Sequence, residues 1–454
     1  MIESLTVVFS VAPALFILAA CFYAFALAML VKAPRIRVAS LLPMGTSPGH
    51  IPVADVLRGL AALWVALLHM VTWTPWLTPL AQAHPILGQG EKAVPVFVVL
   101  SGFLVYRACR PTDAAALRRY LMSRLLRIYP LYIAVTILTF ALVIVVADGS
   151  PQAPGFEPWR LIQYAVSQAL MLNALGLQVF PVPQFWSLYV EVAFYIMLPA
   201  WVAFFQTSPA GQGGRWGHVA LLLAMAGLLH ISGFSGARTL QLWAYFPLGM
   251  AASHLHDWLA GRQAGPGRTG IATAAFGLGL LLAFLDVNDM APDIAHSVCL
   301  STSPEIRANL QYVFLGQHLG PGVAVACDTA WPVETANTLW IGIATAAILV
   351  GGASLGLIKA LSGLFPARLL AAISYSVFAW HGALLALMGV YPNGTGGTIA
   401  HRVVLPVAPD GFMILVLVPA LLTVACISYL LIERPALMLK SRMKSRPEGD
   451  RDGD

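Results

Sequence analysis

The segment DVLRGLAALWVALLH, Asp55 to His69, holds an arginine and, eleven residues later, a histidine inside an otherwise apolar run. On a helix, eleven residues turn the chain about 1100°, three turns plus about 20°, and advance it by about 16 Å. Arg58 and His69 therefore share a face at two depths. One depth offers a cation suited to phosphate, the other a ring that can take or give a proton. Three more apolar segments carry polar groups: Ser101 in VFVVLSGFL, Glu191 in WSLYVEVAFY and His381 in SYSVFAWH. Ionisable groups in lipid are costly and face a cavity or a partner. A neutral histidine beside a carboxylate is what general-base catalysis requires, and equally what a proton relay requires. Taken singly, a histidine can be a hydrogen-bonded packing group, and Ser101-Gly102 a small-residue helix contact. Trp186 can be an interfacial anchor. Glu191 resists the plain reading, because a lone carboxylate in lipid is expensive.

A second concentration is RRYLMSRLLRIYPLY, residues 118–132. Arg124 and Arg127 are three apart and share a helix face; Arg118 and Arg119 lie a further turn or two away. Anchoring at the cytosolic surface accounts for part of this charge, and an anionic ligand held by guanidinium forks for the rest. No histidine, cysteine or acidic cluster has metal-ligand spacing, so no metal is expected; His254 and His256, two apart, do not share a face. The five cysteines form no CxxC pair. Cys299 and Cys327 share one long polar loop and could form a disulfide if it faces an oxidising compartment.

Membrane helices must position these groups. Hydrophobic residues make up 59% of the chain and charged residues 10%, and the mean hydropathy is +0.78. A soluble fold needs more charge, and apolar runs long enough to cross a bilayer recur throughout. The expected fold class is all-α, a polytopic membrane bundle of about eleven transmembrane helices. The crossings are expected near 5–31, 54–76, 93–106, 130–147, 185–205, 217–233, 238–256, 270–286, 338–358, 369–390 and 411–432, with 158–177 only a half-crossing or interfacial segment. The first has an acidic start and no small-residue cleavage site, and reads as a retained helix. Placing the 32–50 linker in the cytosol puts 20 of the 26 basic residues on that side. The N-terminus is then outside and the C-terminus cytosolic. Topology thus explains the net charge of +6, and no nucleic-acid partner is expected. The chain divides into 1–50 (first helix and linker), 51–435 (the polar-site domain) and 436–454 (a charged, disordered tail). It shows no internal repeat, and nothing in it sets an oligomeric state.

DVLRGLAALWVALLH, VFVVLSGFL, RRYLMSRLLRIYPLY, WSLYVEVAFYIMLP, SYSVFAWH and the closing LIERP, in this order, resemble the membrane acyltransferase-3 family over about residues 52–435. The resemblance implies O-acyl transfer, usually of acetyl. The donor would be acyl-coenzyme A from the cytosol, a substrate and not a tightly bound cofactor. The acceptor hydroxyl would belong to a saccharide, a glycolipid or a small molecule, commonly outside a bacterial inner membrane. It implies a catalytic role for His69, with Glu191 the acidic residue of the WSL…E motif. Arg58, Arg124, Arg127, Arg118 and Arg119 would serve the donor, and Ser101, Gly102, Trp186, Ser187, Tyr195, Ser374 and His381 would support the site. The expected mechanism has Glu191 orienting His69 or stabilising its imidazolium, and Ser101 bonding the acyl oxygen or the acceptor; a covalent acyl-histidine or acyl-serine intermediate is an open variant. Phe378 stands where the family often has tyrosine. The chain ends soon after LIERP, so a single membrane domain without an appended hydrolase-like domain is expected. The polar residues alone also fit a proton-coupled transporter or flippase with His69 and Glu191 as its relay, although such a protein should show inverted repeats with broken helices.

Overall fold

The computed structural model describes residues 17–24, 50–73, 77–109, 111–146, 166–171, 185–207, 214–232, 242–288, 331–387 and 410–444. Among them there are helices and turns and no strand, as lipid demands of a chain that satisfies its own backbone. The principal helices are α1 (Pro52–Trp73), α2 (Ala93–Ala108), α3 (Ala114–Val146), α4 (Trp186–Thr207), α5 (Gly214–Ser232) and α6 (Tyr245–Ala260), followed by α7 (Pro266–Val287), α8 (Trp331–Gly352), α9 (Gly356–Ser362), α10 (Phe365–Leu387), α11 (Asp410–Ser428) and α12 (Arg434–Lys444). A single π-turn, Tyr429–Glu433, joins the last two.

Six stretches among the described residues are long and apolar enough to cross a membrane: α1, α3, α4, α7, α10 and the α11–α12 run. The pair α8 and α9, bent by 101°, makes a seventh if counted as one broken span. Helices α2 and α6 have 16 residues each, about 24 Å of rise, short of a hydrocarbon core of about 30 Å. Their composition explains why they need no greater length. Most of α2 is buried, from Ala93 to Tyr106, so protein and not lipid surrounds it. It crosses α6 at van der Waals limits: a Cβ on Gly102 would sit 2.3 Å from the Phe246 carbonyl oxygen, and one on Gly249 2.1 Å from that of Val99.

Two apolar cores result. One gathers around α2, α4, α6 and α8 and includes Phe103, Tyr132, Phe185 and Phe246. The other gathers around α10 and α11 and includes Met70, Val377, Leu417 and Tyr429. Helix α1 faces both, giving Ala61 and Val65 to the first and Ala62, Ala66 and Met70 to the second. Helix α10 divides likewise, Phe378 to the first and Val377 to the second. The two helices press together where Gly59 lacks a side chain, since a Cβ there would lie 3.1 Å from the Ala371 backbone nitrogen. The polar residues of α1 and α10 lie along this seam.

Three expectations are corrected or narrowed. Helix α3 starts at Ala114 and not near 130. Pro130 removes one internal hydrogen bond, but the leucine- and arginine-rich segment before it favours helix. Asp113 caps the start, its Oδ1 accepting from the Ala116 amide at 2.6 Å, a bond that holds its carboxyl below the usual range. The tail expected to be disordered from 436 continues as helix to Lys444, because Ala436 is buried and Leu437 packs against the second core. The first crossing is described only over 17–24. There the Tyr23 hydroxyl donates to the Leu415 carbonyl (2.8 Å) and Thr423 donates to the Leu18 carbonyl (2.9 Å), so this segment docks on α11. Cys299, Cys327 and the acidic loop lie outside the described residues. Lys92 Nζ meets Asp286 Oδ2 at 3.3 Å and donates to its carbonyl at 2.5 Å. That bond ties the turn before α2 to the end of α7.

Candidate active site

Five helices enclose a cavity of about 230 Å³. Helix α1 contributes Arg58; α3 contributes Arg124 and Arg127; α4 contributes Ser187, Glu191 and Tyr195; α10 contributes Ser374, Tyr375 and Phe378. Helix α2 lines it from Val94 to Val105, about 16 Å of helix, so the cavity runs along the bundle axis. It is smaller than the 300–1,000 Å³ usual for a drug-sized ligand. It can take the end of an extended molecule and not the whole of a large one.

Glu191 is the cavity's one carboxylate, and two hydroxyls satisfy it: Ser101 and Tyr195 both donate to its Oε1. Tyr195 is one turn along the same helix. Ser101 is brought across by the glycine-mediated approach of α2 to α6, which gives Gly102 a packing role beside a polar neighbour. Arg124 lies between two rings, 5.6 Å from the centroid of Tyr120 and 5.7 Å from that of Tyr195, within the range of cation–π attraction. The Tyr120 hydroxyl in turn donates to the Tyr195 carbonyl at 3.1 Å. Arg124 Nε is buried with no hydrogen-bond partner among the described residues. Arg58 sits 3.7 Å from Asp55 and feels the repulsion of Arg127. Three guanidinium groups thus face one satisfied carboxylate. The excess is positive, and an anionic ligand would relieve it.

The histidines form a separate centre. His69 Nδ1 and His381 Nε2 are 2.8 Å apart, and the rings lie edge to edge with centroids 4.9 Å apart and planes 8° from parallel. His381 is fully buried, and His69 is partly buried. Neither lines the cavity. The tautomers are assigned from their neighbours. The backbone of Phe378 and Val377, one turn back on the same helix, acts on the His381 ring. The tautomer in which Nδ1 carries the His381 proton leaves Nε2 to accept from His69. His69 must then donate from Nδ1, which leaves Nε2 as its proton-accepting nitrogen. The sequence suggested Glu191 as the orienting partner of His69. The structure gives Glu191 to Ser101 and Tyr195, and gives His69 to His381.

The other expected residues divide cleanly. Arg58, Ser101, Arg124, Arg127, Ser187, Glu191, Tyr195 and Ser374 line the one cavity. Arg118 and Arg119 are exposed and do not line it. Trp186 is 46% exposed, as befits an anchor at the interface. Sequence reasoning did not single out Tyr375, whose hydroxyl ties α10 to α3 through the Ile128 carbonyl at 2.9 Å. Nor did it assign a role to Glu433 of LIERP. Buried at the π-turn, Glu433 accepts from Ser376 and acts electrostatically on Arg127. The available signal was an acidic residue closing a long apolar run, a position that lipid penalises unless it is paired. Among the described residues no group of three or more histidine, cysteine or acidic side chains could hold a metal ion.

No curated protein and no solved structure matches the chain. A family model described as an acyltransferase domain matches residues 51–433, most of the chain and all of the helices that build the cavity and the histidine pair. The chain belongs to the membrane acyltransferase-3 family.

Proposed function

We propose that this membrane acyltransferase moves an acyl group, acetyl in the simplest case, from cytosolic acyl-coenzyme A to a hydroxyl of a saccharide, glycolipid or small-molecule acceptor. The acceptor would be presented on the outer side of a bacterial inner membrane. One observation carries the reading: a cavity with a positive excess reaches along the bundle axis toward a hydrogen-bonded histidine pair beyond its outer end. Arg124 and Arg127 attract the donor's phosphates, and Arg58 guards the cytosolic rim. The cavity's size admits the thioester arm while the nucleotide stays outside.

In this mechanism His69 Nε2 takes the proton of the acceptor hydroxyl as its oxygen attacks the thioester carbonyl. The C–S bond then breaks, and the coenzyme A sulfur leaves as a thiolate that takes up that proton. His381 acts as a positioning residue, since it touches His69 and not the reacting atoms. Ser101 already gives its hydroxyl hydrogen to Glu191, and a hydroxyl has only one to give. Charge on the carbonyl oxygen therefore needs a donor other than Ser101.

Purified protein in nanodiscs, supplied with acetyl-coenzyme A, tests the proposal through release of the free thiol and transfer to an added sugar. Turnover that falls by at least about 10²-fold in His69→Ala supports it, a factor in the range of a general base. Folded protein that neither binds nor consumes acetyl-, butyryl- or octanoyl-coenzyme A would remove the donor assignment.

A further inference from the structure

The end of the bundle where α2 and α6 finish and α5 and α7 begin carries a group of aromatic and basic side chains that the cavity does not use. Trp216, in the first turn of α5, meets Trp258, in the last turn of α6, edge to face, with centroids 5.5 Å apart and planes at 72°. The Arg262 guanidinium, just past the end of α6, lies 4.3 Å from the centroid of Trp258, well within the range of cation–π attraction. Arg215 immediately precedes Trp216. Arg268, in the first turn of α7, acts electrostatically on His256 of α6. Asp257, beside Trp258, is already occupied: Arg107 donates to its Oδ1, and His256 Nδ1 lies 3.2 Å from the same oxygen. Among the described residues no carboxylate comes within ion-pair reach of Arg215, Arg262 or Arg268.

The setting is a membrane boundary. Helix α7 is one of the stretches able to cross a membrane and begins at Pro266, so Arg268 marks the level where that span starts. On α5, Ala220 and Leu223 follow Trp216 at i+4 and i+7 and share its face, and all three are exposed. An apolar stripe therefore leads away from the tryptophan, with the arginines at its head. Interfacial anchoring accounts for the tryptophans. It does not account for a guanidinium laid on one of them with no carboxylate to meet it.

We propose that this corner of α5, α6 and α7 binds the headgroup of an anionic phospholipid. Arg215 and Arg262 hold the phosphate oxygens through their guanidinium forks, Trp216 and Trp258 shoulder the glycerol region, and an acyl chain lies along the stripe from Ala220 to Leu223. The contact with Trp258 holds the Arg262 guanidinium in place before the lipid arrives, so less side-chain freedom is lost on binding. The unpaired positive charge selects a headgroup of net negative charge. A zwitterionic headgroup brings its own cation to the same arginines and gains less.

The test is competition between phosphatidylglycerol and phosphatidylcholine of matched chains for the full-length protein, read by native mass spectrometry of the lipid retained on release from mixed nanodiscs. Wild type should retain phosphatidylglycerol in preference by at least about tenfold. Arg215→Gln and Arg262→Gln should each lower that preference by roughly fivefold, the worth of one arginine near an anionic surface, and the double variant should bring it to parity. Arg262→Lys keeps the charge but not the planar fork and should fall between wild type and Arg262→Gln. Arg118→Gln, which removes an exposed arginine of α3, should leave the preference unchanged. Melting temperatures in phosphatidylcholine alone check that each variant is folded. Equal retention of the two lipids by wild type, or a loss in Arg118→Gln as large as in Arg262→Gln, would overturn the site. Displacement of the retained phosphatidylglycerol by inorganic phosphate or coenzyme A at constant ionic strength would overturn it too, because the corner would then serve a soluble phosphate and not a lipid.

Discussion

His381→Phe isolates the hydrogen bond of the histidine pair from its packing. Phenylalanine keeps a planar ring at a position with no exposed surface, beside the ring of His69. It removes the acceptor 2.8 Å from His69 Nδ1 and sets a C–H in its place. Two consequences follow. Removing one partner of a buried hydrogen bond costs roughly 1–3 kcal/mol of stability. More tellingly, His69 loses the group that holds its proton on Nδ1, so Nε2 spends part of its time protonated and unable to accept. Where a buried carboxylate orients a catalytic histidine, disturbing it costs about 10⁴ in kcat. An imidazole acceptor carries no charge to stabilise the imidazolium, so about 10² is expected here, roughly 2.7 kcal/mol of barrier. The donor KM should move by less than about threefold, because neither histidine lines the cavity. His381→Gln, whose amide oxygen can accept from the same nitrogen, should recover part of the loss. The assay is thiol release under saturating and limiting acetyl-coenzyme A, with melting temperature followed in the same nanodiscs. Activity within threefold of wild type in His381→Phe, or a loss confined to KM, would refute the positioning role.

Glu191→Gln keeps an oxygen for Ser101 and Tyr195 but removes the cavity's one negative charge; donor affinity should hold or tighten while kcat falls at least about tenfold, read from single-turnover kinetics. Arg124→Gln and Arg127→Gln should each raise the donor KM by roughly tenfold or more, the worth of a charge-assisted contact of about 1.5–3 kcal/mol, whereas Arg118→Gln and Arg119→Gln, exposed and away from the cavity, should change it by less than about twofold. Gly249→Ala would bring a methyl to 2.1 Å from the Val99 carbonyl oxygen; the overpacked α2–α6 crossing should lose about 1–3 kcal/mol, seen as a lower melting temperature, and activity should fall with it because α2 carries Ser101.

The residues that could do chemistry were legible because lipid makes them conspicuous. Arg58, Ser101, Glu191 and the two histidines stand out where apolar side chains cost nothing. Periodicity placed the described helices near where they lie, since it follows from local sequence. Pairing between helices does not. His69 and Glu191 looked like a natural acid–base couple because both types suit that role and their depths agreed. Which helix faces which depends on contacts remote in sequence, such as Gly59 against Ala371 or Gly249 against Val99. Those contacts set α1 beside α10 and α2 beside α6. The same distinction explains α3, where a proline suggested a boundary that its tertiary partners do not respect, and α12, which is polar enough to read as tail yet packs against the second core.

The separation of the two centres follows from the same packing. A carboxylate within reach of three guanidiniums and also of the base would be drawn to the cations and compete with any anionic donor for them. Here Ser101 and Tyr195 occupy Glu191, and Glu433 occupies Ser376 near Arg127. Under the proposed function, the arginines would therefore keep capacity for phosphate, and the orientation of His69 would fall to a neutral partner. An uncharged partner also lets the base work deep among apolar side chains without a permanent ion at its side. Under the proposed function, the site would keep its charge where the soluble donor arrives and its proton transfer where water is scarce. A reaction that joins a cytosolic thioester to a hydroxyl on the other side of a membrane needs that division, because water at the base would hydrolyse the thioester.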